Sequence, residues 1–397
     1  MEEAFFRTHT YLVEHTNATV HRQLMDEIDW NDRMIGIKGT RGVGKTTFLL
    51  QYAKEHFGAT DRQCLFVNMN NFYFQSRGIA DFAGDFVRQG GRTLLIDQVF
   101  KQQDWSKELR KCYDRYPELK IVFTGSSVMR LKEENPELNG IVSSYNLRGF
   151  SFREYLNLQT GNDFQPYELS DILHNHEHIV KLILPNVSPM KYFQDYLHHG
   201  FYPFFLEKRN FTENLLKKMN MMTEVDILLI KQIELKYLPK IKKLFYQLAV
   251  EGAKAPNISQ LAESIETSRA TVMNYIKYLA DARLINLIYP DDEQEFPKKP
   301  SKVMMHNSNL MYAIYPIQID KQEVMETFFV NSLWKDHKVH QGGKDHYYMV
   351  DGKTKFRICD AQASGKQRYN PDTIYARYNT EVGKDNKIPL WLLGFLY

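Results

Sequence analysis

The residues with the clearest chemical potential form one short stretch near the N-terminus. Residues 39–46 read Gly-Thr-Arg-Gly-Val-Gly-Lys-Thr, which is the G-x-x-x-x-G-K-T spacing of a phosphate-binding loop. Glycines let the backbone turn so that successive N–H groups can surround a phosphate. The lysine offers a cation to phosphate oxygens, and the threonine hydroxyl can ligate Mg²⁺. The residues predicted to bind the nucleotide are Gly39, Thr40, Arg41, Gly42, Val43, Gly44, Lys45, Thr46 and Thr47.

The segments on both sides of this loop favour phosphate binding over a chance glycine-rich turn. Residues 34–37 are a short apolar run typical of a strand, and residues 46–54 have the pattern of a helix. This order places the loop at a helix N-terminus, where an anion is stabilised. The sequence therefore predicts ATP as the ligand and Mg²⁺ as the cofactor.

A second chemical group follows a later apolar run. Residues 94–96 are Leu-Leu-Ile, and Asp97 comes directly after them, as in a Walker B motif. A carboxylate at the end of that strand can hold Mg²⁺ from the side opposite Thr46. The alternative is that Asp97 caps a helix. We predict Thr46 and Asp97 as the metal-linked residues.

The residue after Asp97 departs from the pattern of an active ATPase. ATPases of this general type usually carry a glutamate there as the base for the attacking water, whereas this chain has Gln98. An amide can hydrogen-bond a water but cannot accept its proton. The sequence thus predicts ATP binding with impaired hydrolysis. It leaves open a naturally slow enzyme or an engineered Glu→Gln replacement, and the intact remainder of the site favours the second.

A third candidate lies where the fourth predicted strand ends. Residues 124–127 read Thr-Gly-Ser-Ser. We expect a polar side chain here, with Ser126 as the candidate, to contact the γ-phosphate or the attacking water. Helix capping by Ser126 or Ser127 is the alternative.

The elements that must position these groups are readable from hydrophobic runs. Apolar segments separated by helical stretches predict a mainly parallel sheet that is covered on both faces. The four runs are residues 34–37, 64–69, 93–97 and 120–125. The first 30 residues are expected to be helical and to pack on this domain, with a role in holding the adenine as the less favoured alternative.

Length and composition set the broad class. A chain of 397 residues is too long for one ordinary core, and its net charge of +3 does not demand a nucleic-acid partner. The cysteines Cys64, Cys112 and Cys359 are far apart and have no metal or disulfide spacing, which fits a reducing cytoplasm. We see no signal peptide and no apolar run long enough for a membrane span, so we expect a cytoplasmic protein without a membrane partner.

Together these motifs resemble a bacterial AAA+ ATPase of the archaeal-ATPase-like group, which carries a restriction-endonuclease-like domain of unknown function at its C-terminus. The resemblance implies a homo-oligomer, ring or similar, in which a neighbouring subunit completes the site. Candidates for an arginine finger are Arg130, Arg148 and Arg153, because residues 138–142, where relatives carry an arginine, contain none. The matching segments are residues 35–46, 94–97, 123–127, 147–156, 196–203 and 388–397.

The predicted fold is an α/β P-loop NTPase of the AAA+ type with additional C-terminal domains. Its predicted function is a remodelling or motor ATPase that acts on a macromolecule; the alternative is an ATP-controlled switch that binds DNA or a protein. The predicted segments are an N-terminal helical arm at 1–30, an AAA+ nucleotide-binding core at 31–156, a helical lid or linker at 157–240, a winged helix at 241–305 and a degenerate restriction-endonuclease-like α+β domain at 306–397.

The predicted winged helix is an ambiguous nucleic-acid binder. Its third helix, residues 269–280, could present Arg269, Thr271, Asn274 and Lys277 to a major groove. That face is only mildly basic, and the wing loop at 291–295 is acidic. A structural or protein-contact role is therefore favoured over direct DNA binding.

Two further groups of residues have types that could form a metal site or a nuclease site. The histidines His174, His176 and His178 lie in a polar helical stretch, so we expect a solvated face rather than a metal site. In the last segment, Asp351 fits a nuclease pattern, but Arg357 stands where a second acidic metal ligand is needed. An active nuclease is therefore not expected.

Overall fold

The computed structural model describes residues 2–17, 20–131, 133–207, 209–291, 299–342, 347–363 and 369–397. The chain separates into two compact units, Met1–Gly149 and Phe150–Tyr397.

The first unit is built on a five-stranded sheet. Its strands are β1 (Met34–Gly39), β2 (Cys64–Asn68), β3 (Thr93–Asp97), β4 (Lys120–Ser126) and β5 (Ser143–Asn146). The strand order is β2-β3-β4-β1-β5, and every neighbouring pair is parallel. The four apolar runs of the sequence are thus confirmed as strands of one parallel sheet. The edge strand β5 was not predicted, because its sequence Ser-Ser-Tyr-Asn is polar and half-exposed.

Helices surround this sheet. They are α1 (Glu2–Glu14), α2 (Leu24–Glu27), α3 (Lys45–His56), α4 (Ile79–Arg88) and α5 (Trp105–Arg115), with 3-10 turns at Phe72–Gln75, Val99–Lys101 and Pro136–Leu138. The N-terminal arm packs on the sheet as expected: the Phe66 N–H donates to His9 Nδ1 at 3.0 Å, and Phe5 meets the ring of Phe82 edge-on at 5.2 Å.

The second unit begins with helices. They are α6 (Phe152–Thr160), α7 (Leu169–Ile183), α8 (Met190–Asp195), α9 (Phe211–Met221), α10 (Leu228–Ile230), α11 (Leu238–Glu251), α12 (Ile258–Ser264), α13 (Arg269–Asp281), α14 (Ser308–Ile314) and α15 (Lys321–Leu333). Two π-helical segments, Tyr196–Gly200 and Met222–Ile227, interrupt the first half, and 3-10 turns lie at Pro203–Glu207, Leu235–Tyr237 and Leu390–Phe395.

The first π-helical segment depends on polar side chains from a distant part of the chain. Asn309 Nδ2 donates to the carbonyls of Tyr196 at 3.1 Å and Leu197 at 2.9 Å, and its Oδ1 accepts from the Phe201 N–H at 3.0 Å. Ser308 Oγ also donates to the Leu197 carbonyl, at 2.6 Å. Since Asn309 and Ser308 are both buried, these bonds satisfy backbone groups that the irregular helix leaves without regular partners.

Helices α11, α12 and α13 are followed by an antiparallel pair, β6 (Ile285–Ile288) and β7 (Lys302–Met305). This is the order of elements predicted for the winged helix. Asn257 caps α12 by accepting from the Gln260 N–H, as the sequence suggested. Most of the acidic wing loop, residues 292–298, lies outside the described residues.

A second five-stranded sheet closes the chain. Its strands are β8 (Val339–Gln341), β9 (Tyr348–Val350), β10 (Thr354–Asp360), β11 (Thr373–Tyr378) and β12 (Lys387–Pro389). Their order is β12-β11-β10-β9-β8; β10, β11 and β12 are parallel, and β8 and β9 join antiparallel. Helix α15 packs on one face, where Phe329 lies 5.2 Å from Phe356 between ring centroids.

The solvated face expected for the histidine stretch of α7 holds for His174 and His178, which share a helix face, but not for His176. His176 is buried on α7, with 3% of its surface exposed, whereas His174 and His178 are exposed. Its side chain belongs to the apolar face formed by Ile172 and Ile179, because residues four and three apart share a helix face. Burial lowers the pKa of the imidazole and favours its neutral form.

The structure places the two residues of the nuclease pattern in a turn and on the strand that follows it. Asp351 has a φ of 54° in the turn between β9 and β10. Its carboxylate accepts from His337 Nδ1 at 2.7 Å and from the Lys338 N–H at 2.8 Å. Arg357 lies on β10 and is exposed. The carboxylate of Asp351 is therefore engaged in holding the turn.

Within the described chain, no helix combines the length and the apolar character needed to cross a membrane. In the same residues, no group of three or more His, Cys, Asp or Glu side chains is arranged to hold a metal ion.

Candidate active site

The carboxyl ends of the parallel strands bring the candidate residues together. In the register of the sheet, Gly39 at the end of β1 lies opposite Ser126 of β4, and Asn68 at the end of β2 lies opposite Asp97 of β3. The edge where parallel strands end is where open α/β sheets place their ligands. The phosphate-binding loop and Asp97 therefore share one edge of the first unit.

The loop itself adopts the backbone conformations that its glycines allow. Gly42 and Gly44 have φ values of 87° and 93°, a region that side chains with a Cβ disfavour. Helix α3 begins at Lys45, directly after the loop. Lys45 Nζ donates to the carbonyls of Gly39 at 2.7 Å and Thr40 at 2.8 Å, so its cation lies across the mouth of the loop.

Asp97 is the centre of a hydrogen-bond network. Its carboxylate is buried, with 1% of the residue exposed. One oxygen accepts from Thr46 Oγ1 at 2.9 Å and from Asn68 Nδ2 at 2.8 Å, and the other accepts from Thr124 Oγ1 at 2.5 Å. A hydroxyl and a carboxylate side by side are the oxygen ligands that Mg²⁺ prefers, so the residues present fit this ion.

Gln98 has an unusual backbone conformation beside this network. Its φ of 57° lies in the left-handed region, which is uncommon for a residue other than glycine. The Gln98 N–H donates to Thr124 Oγ1 at 2.9 Å. Thr124 thus contacts both Asp97 and Gln98, and it fixes the backbone from which the Gln98 side chain projects.

Ser126 lies two residues beyond Thr124 on β4 and is buried. Its hydroxyl accepts from the Val128 N–H at 3.4 Å within a turn, and the described residues that follow it, 127–131, form no helix for Ser126 or Ser127 to cap. A contact of Ser126 with phosphate or water stays a prediction. Thr124 and Asn68 were not singled out from the sequence, because their partner Asp97 is on another strand.

Arg22 is a further residue that the sequence did not reveal. It is buried, and its Nη1 donates to the Val43 carbonyl inside the phosphate-binding loop at 3.0 Å. Its Nη2 donates to the carbonyls of Arg148 at 2.6 Å and Gly149 at 3.3 Å. The guanidinium therefore joins the N-terminal arm, the loop and the end of the first unit.

The three arginine-finger candidates have different surroundings. Arg153 is buried in the second unit, where it donates to the carbonyls of Phe164 at 2.9 Å and Tyr397 at 3.1 Å. This argues against a role for Arg153 at a neighbouring subunit. Arg130 and Arg148 are half-buried in the first unit, and a finger role for either stays a prediction.

Comparison with known proteins agrees with this geometry. Residues 31–156 match a family described as an AAA domain. This part of the chain is therefore a domain of the AAA type. Residues 190–321 match a domain of unknown function (DUF8612), which includes both Tyr196 and its partner Asn309. The predicted P-loop α/β fold is thus confirmed for the AAA domain.

Two relatives are uncharacterized proteins of the archaeon Methanocaldococcus jannaschii. One is 26% identical over 285 residues, which are 68% of this chain and 60% of the relative. The other is 23% identical over 273 residues, which are 64% of this chain and 55% of the relative. This chain therefore spans about 60% of the length of the curated relatives that it matches.

Two solved structures are distantly similar to this chain. The Aeropyrum pernix ORC1 protein in complex with DNA matches 78% of this chain and 92% of its own, with 11% identity and a TM-score of 0.30. Caenorhabditis elegans PCH-2 matches 70% of this chain and 67% of its own, with 14% identity and a TM-score of 0.24. Scores this low carry no argument about function.

Proposed function

We propose that the AAA domain binds Mg²⁺-ATP and hydrolyses it slowly. The observation that carries this proposal is the network at Asp97, which joins the Walker B carboxylate to the loop threonine Thr46 at 2.9 Å. In this proposal, Thr46 and Asp97 would be metal ligands beside Lys45, whose cation would neutralise phosphate charge.

Each residue of the site has a proposed role. Lys45 would exchange its carbonyl partners for the β- and γ-phosphate oxygens, and Thr46 and Asp97 would ligate Mg²⁺, which neutralises phosphate charge when bound. Thr124 and Asn68 orient the Asp97 carboxylate. Gln98 can hydrogen-bond the attacking water but cannot take its proton, so turnover is slow.

Two classes of function could use the binding and hydrolysis of ATP by this domain. A cytoplasmic remodelling or motor ATPase, assembled as a ring or similar oligomer, would couple turnover to a macromolecule. An ATP-controlled switch would instead use nucleotide occupancy to set assembly, and the second unit would read out that state. Slow hydrolysis at Gln98 favours the switch for this sequence.

Replacement of Lys45 by alanine tests nucleotide binding. We expect Lys45→Ala to weaken Mg²⁺-ATP binding about a hundredfold, because a charge-assisted hydrogen bond contributes roughly 1.5–3 kcal/mol. The matched control is Lys54→Ala: Lys54 is on the same helix but donates to the Thr16 carbonyl at 2.8 Å. Isothermal titration measures both affinities. Equal affinity in the Lys45 variant and the wild type would refute the assignment of the loop.

A second experiment separates the two classes. Mass photometry with and without Mg²⁺-ATP gives the assembly state, and phosphate release gives turnover. ATP-dependent assembly with slow turnover supports the switch, whereas turnover that a macromolecule accelerates supports the motor.

A further inference from the structure

Three neighbouring strands of the C-terminal sheet place cationic and aromatic side chains in one row. The register sets Arg357 of β10 opposite Tyr375 of β11, and Tyr375 opposite Lys387 of β12. Residues in register point to the same face of a sheet. Arg357 at one end of this row is exposed and Lys387 at the other end is half-buried, whereas Tyr375 between them is buried, with 4% of its surface exposed.

The next row along these strands adds another cation. Cys359 of β10 lies opposite Arg377 of β11. Burial raises the pKa of the Cys359 thiol, and the nearby charges of Arg377, Arg357 and Lys387 oppose that rise. The register therefore places Arg357, Arg377 and Lys387 in neighbouring rows of one face of the sheet. We refer to this surface, formed by Arg357, Arg377, Lys387, Tyr369 and Tyr375, as the basic face.

The opposite face of the same strands is already covered. Phe356 and Ile358 alternate with Arg357 along β10, and they are buried. Helix α15 packs there, since Phe329 contacts Phe356 and Gln322 Nε2 donates to the Ile358 carbonyl at 3.0 Å. The basic face is therefore the side of the sheet that points away from α15.

Aromatic rings stand among the cations of this face. Tyr369 is 37% exposed and meets Tyr375 edge-on, with 4.8 Å between ring centroids. Lys387 Nζ lies 3.9 Å from the centroid of Tyr369. Near the start of β10, on the same face as Arg357, Lys355 Nζ lies 5.4 Å from the centroid of the ring of Tyr347. Each ring thus has a cation beside it.

Among the described residues, the positive charge of the face is partly offset, because the Asp360 carboxylate lies within electrostatic range of Arg377. There, Arg357, Arg377 and Lys387 form no ion pair, and Arg377 instead donates to the Ala361 carbonyl at 2.7 Å. The nearby carboxylate of Asp360 accepts from the Gln362 N–H and from Asn379 Nδ2. The other carboxylates close by, Asp372 and Asp385, lie in the turns that precede β11 and β12.

We propose that the basic face binds single-stranded nucleic acid. Its cations suit a polyanionic backbone, and the exposed ring of Tyr369, which the buried Tyr375 supports edge-on, suits the planar bases that a single strand exposes. A duplex hides its bases, and an acidic peptide offers charge without planar groups, so both fit less well. The sequence favoured a structural or protein-contact role for α13 over direct DNA binding, and the proposed site lies on the C-terminal sheet instead.

Fluorescence anisotropy of the full-length protein tests this proposal. The probes are labelled oligo-dT and oligo-U of about 20 nucleotides and a duplex of the same length, in about 50 mM salt and without ATP. We expect both single strands to bind more tightly than the duplex; a preference between them identifies DNA or RNA as the ligand. Lys45→Ala should bind like the wild type, because the site is independent of the phosphate-binding loop.

Charge reversal locates the site. We expect Arg357→Glu with Lys387→Glu to weaken oligo-dT binding at least about tenfold and to lower the salt slope by about 1.4, since each lost phosphate contact removes roughly 0.7 for single strands. The matched control is Arg269→Glu with Lys277→Glu on α13, which changes the net charge equally and should leave affinity within about twofold. Tyr369→Ala should weaken binding without changing the salt slope.

Several results would overturn the proposal. They are wild-type affinity in the face variant, an equal loss in the α13 control, tighter binding of duplex than of single strands, or displacement of oligo-dT by poly-glutamate as effectively as by unlabelled oligo-dT. The last result would make the face a site for acidic proteins. If the double glutamate variant has a lower melting temperature than the wild type, the double variant Arg357→Gln with Lys387→Gln is used in its place. It should also bind oligo-dT more weakly than the wild type.

Discussion

Arg22 donates a hydrogen bond to the carbonyl of Val43, in the middle of the phosphate-binding loop, at 3.0 Å. The same guanidinium donates to the Arg148 carbonyl, 126 residues further along the chain. The loop is therefore supported from behind by the N-terminal arm. If the loop binds nucleotide as proposed, the arm would support that binding through Arg22 without contacting the adenine.

We expect Arg22→Ala to weaken Mg²⁺-ATP binding about tenfold, because the loop loses a charge-assisted hydrogen bond of roughly 1.5 kcal/mol or more that holds its shape. Isothermal titration measures this, and thermal melting measures the accompanying loss of stability. Arg22→Lys should recover part of the affinity, since one cationic donor can still reach Val43.

Arg33 provides the matched control for Arg22. It donates to the carbonyls of Tyr113 and Tyr116, both at 3.0 Å, in the same unit but away from the loop. Arg33→Ala should lower the melting temperature like Arg22→Ala and leave nucleotide affinity unchanged. Similar affinity losses in both variants would show that Arg22 acts through general stability alone.

The sequence predicted the parts of this site that depend on local patterns. The loop glycines, Lys45, Thr46 and Asp97 follow from spacing and from apolar strands, and the structure places them at one edge. Asn68, Thr124 and Arg22 did not follow, because each acts through a partner on a different element. Strand order and register decide those contacts, and no short sequence pattern encodes them.

Thr124→Val tests the contact that joins Asp97 to Gln98. The variant keeps the shape of the side chain but loses the hydroxyl that donates to Asp97 and accepts from the Gln98 N–H. We expect turnover to fall about tenfold or more, since each of the two lost hydrogen bonds contributes roughly 0.5–1.5 kcal/mol, with a smaller change in ATP affinity. Thr124→Ser should restore turnover. A loss of affinity equal to the loss of turnover would mean that Thr124 supports binding rather than hydrolysis.

Acid sensitivity of the first unit is expected from His9. Burial lowers the pKa of His9 to about 4 from an ordinary value of 6.5. The unfolded chain therefore takes up a proton between these values while the folded chain does not. The contribution of His9 to the free energy of unfolding is therefore fully present above pH 6.5. The free energy of unfolding falls by up to about 3 kcal/mol as the pH drops towards 4.

The measurement is thermal melting between pH 7 and pH 4.5 for the wild type and His9→Asn, whose amide oxygen can accept from the Phe66 N–H without titrating. The variant should lose less stability on acidification. His15→Asn, on the exposed side near the end of the same arm, is the control and should behave like the wild type. Identical pH profiles for all three proteins would contradict the prediction.

The error at His176 has a similar origin to the missed contacts. The polar residues beside it suggested a solvated helix, but Ile172, His176, Ile179 and Ile183 recur at helical spacing and form the buried face. That periodicity was a usable signal. By contrast, the π-helical segment at Tyr196–Gly200 is stabilised by hydrogen bonds with Asn309, more than a hundred residues away. The local sequence therefore does not predict it.

Gln98→Glu is expected to raise ATP turnover and to leave ATP affinity nearly unchanged. Lys45, Thr46 and Asp97 already supply the proposed phosphate and metal contacts, and the missing part is a group that can take a proton from the attacking water. General-base assistance contributes roughly a hundred- to ten-thousand-fold in rate. Steady-state phosphate release, measured beside nucleotide affinity, tests both halves of the prediction.

The matched control is Gln103→Glu, which makes the same chemical change at an exposed position just after Val99–Lys101. It should leave turnover unchanged. Because a neighbouring subunit is expected to complete the site, both variants are measured over a range of protein concentrations that includes the assembled state. A Gln98→Glu rate equal to that of the wild type at every concentration would mean that Gln98 does not occupy the base position. In that case the left-handed backbone that Thr124 holds at Gln98 would direct the side chain away from the water.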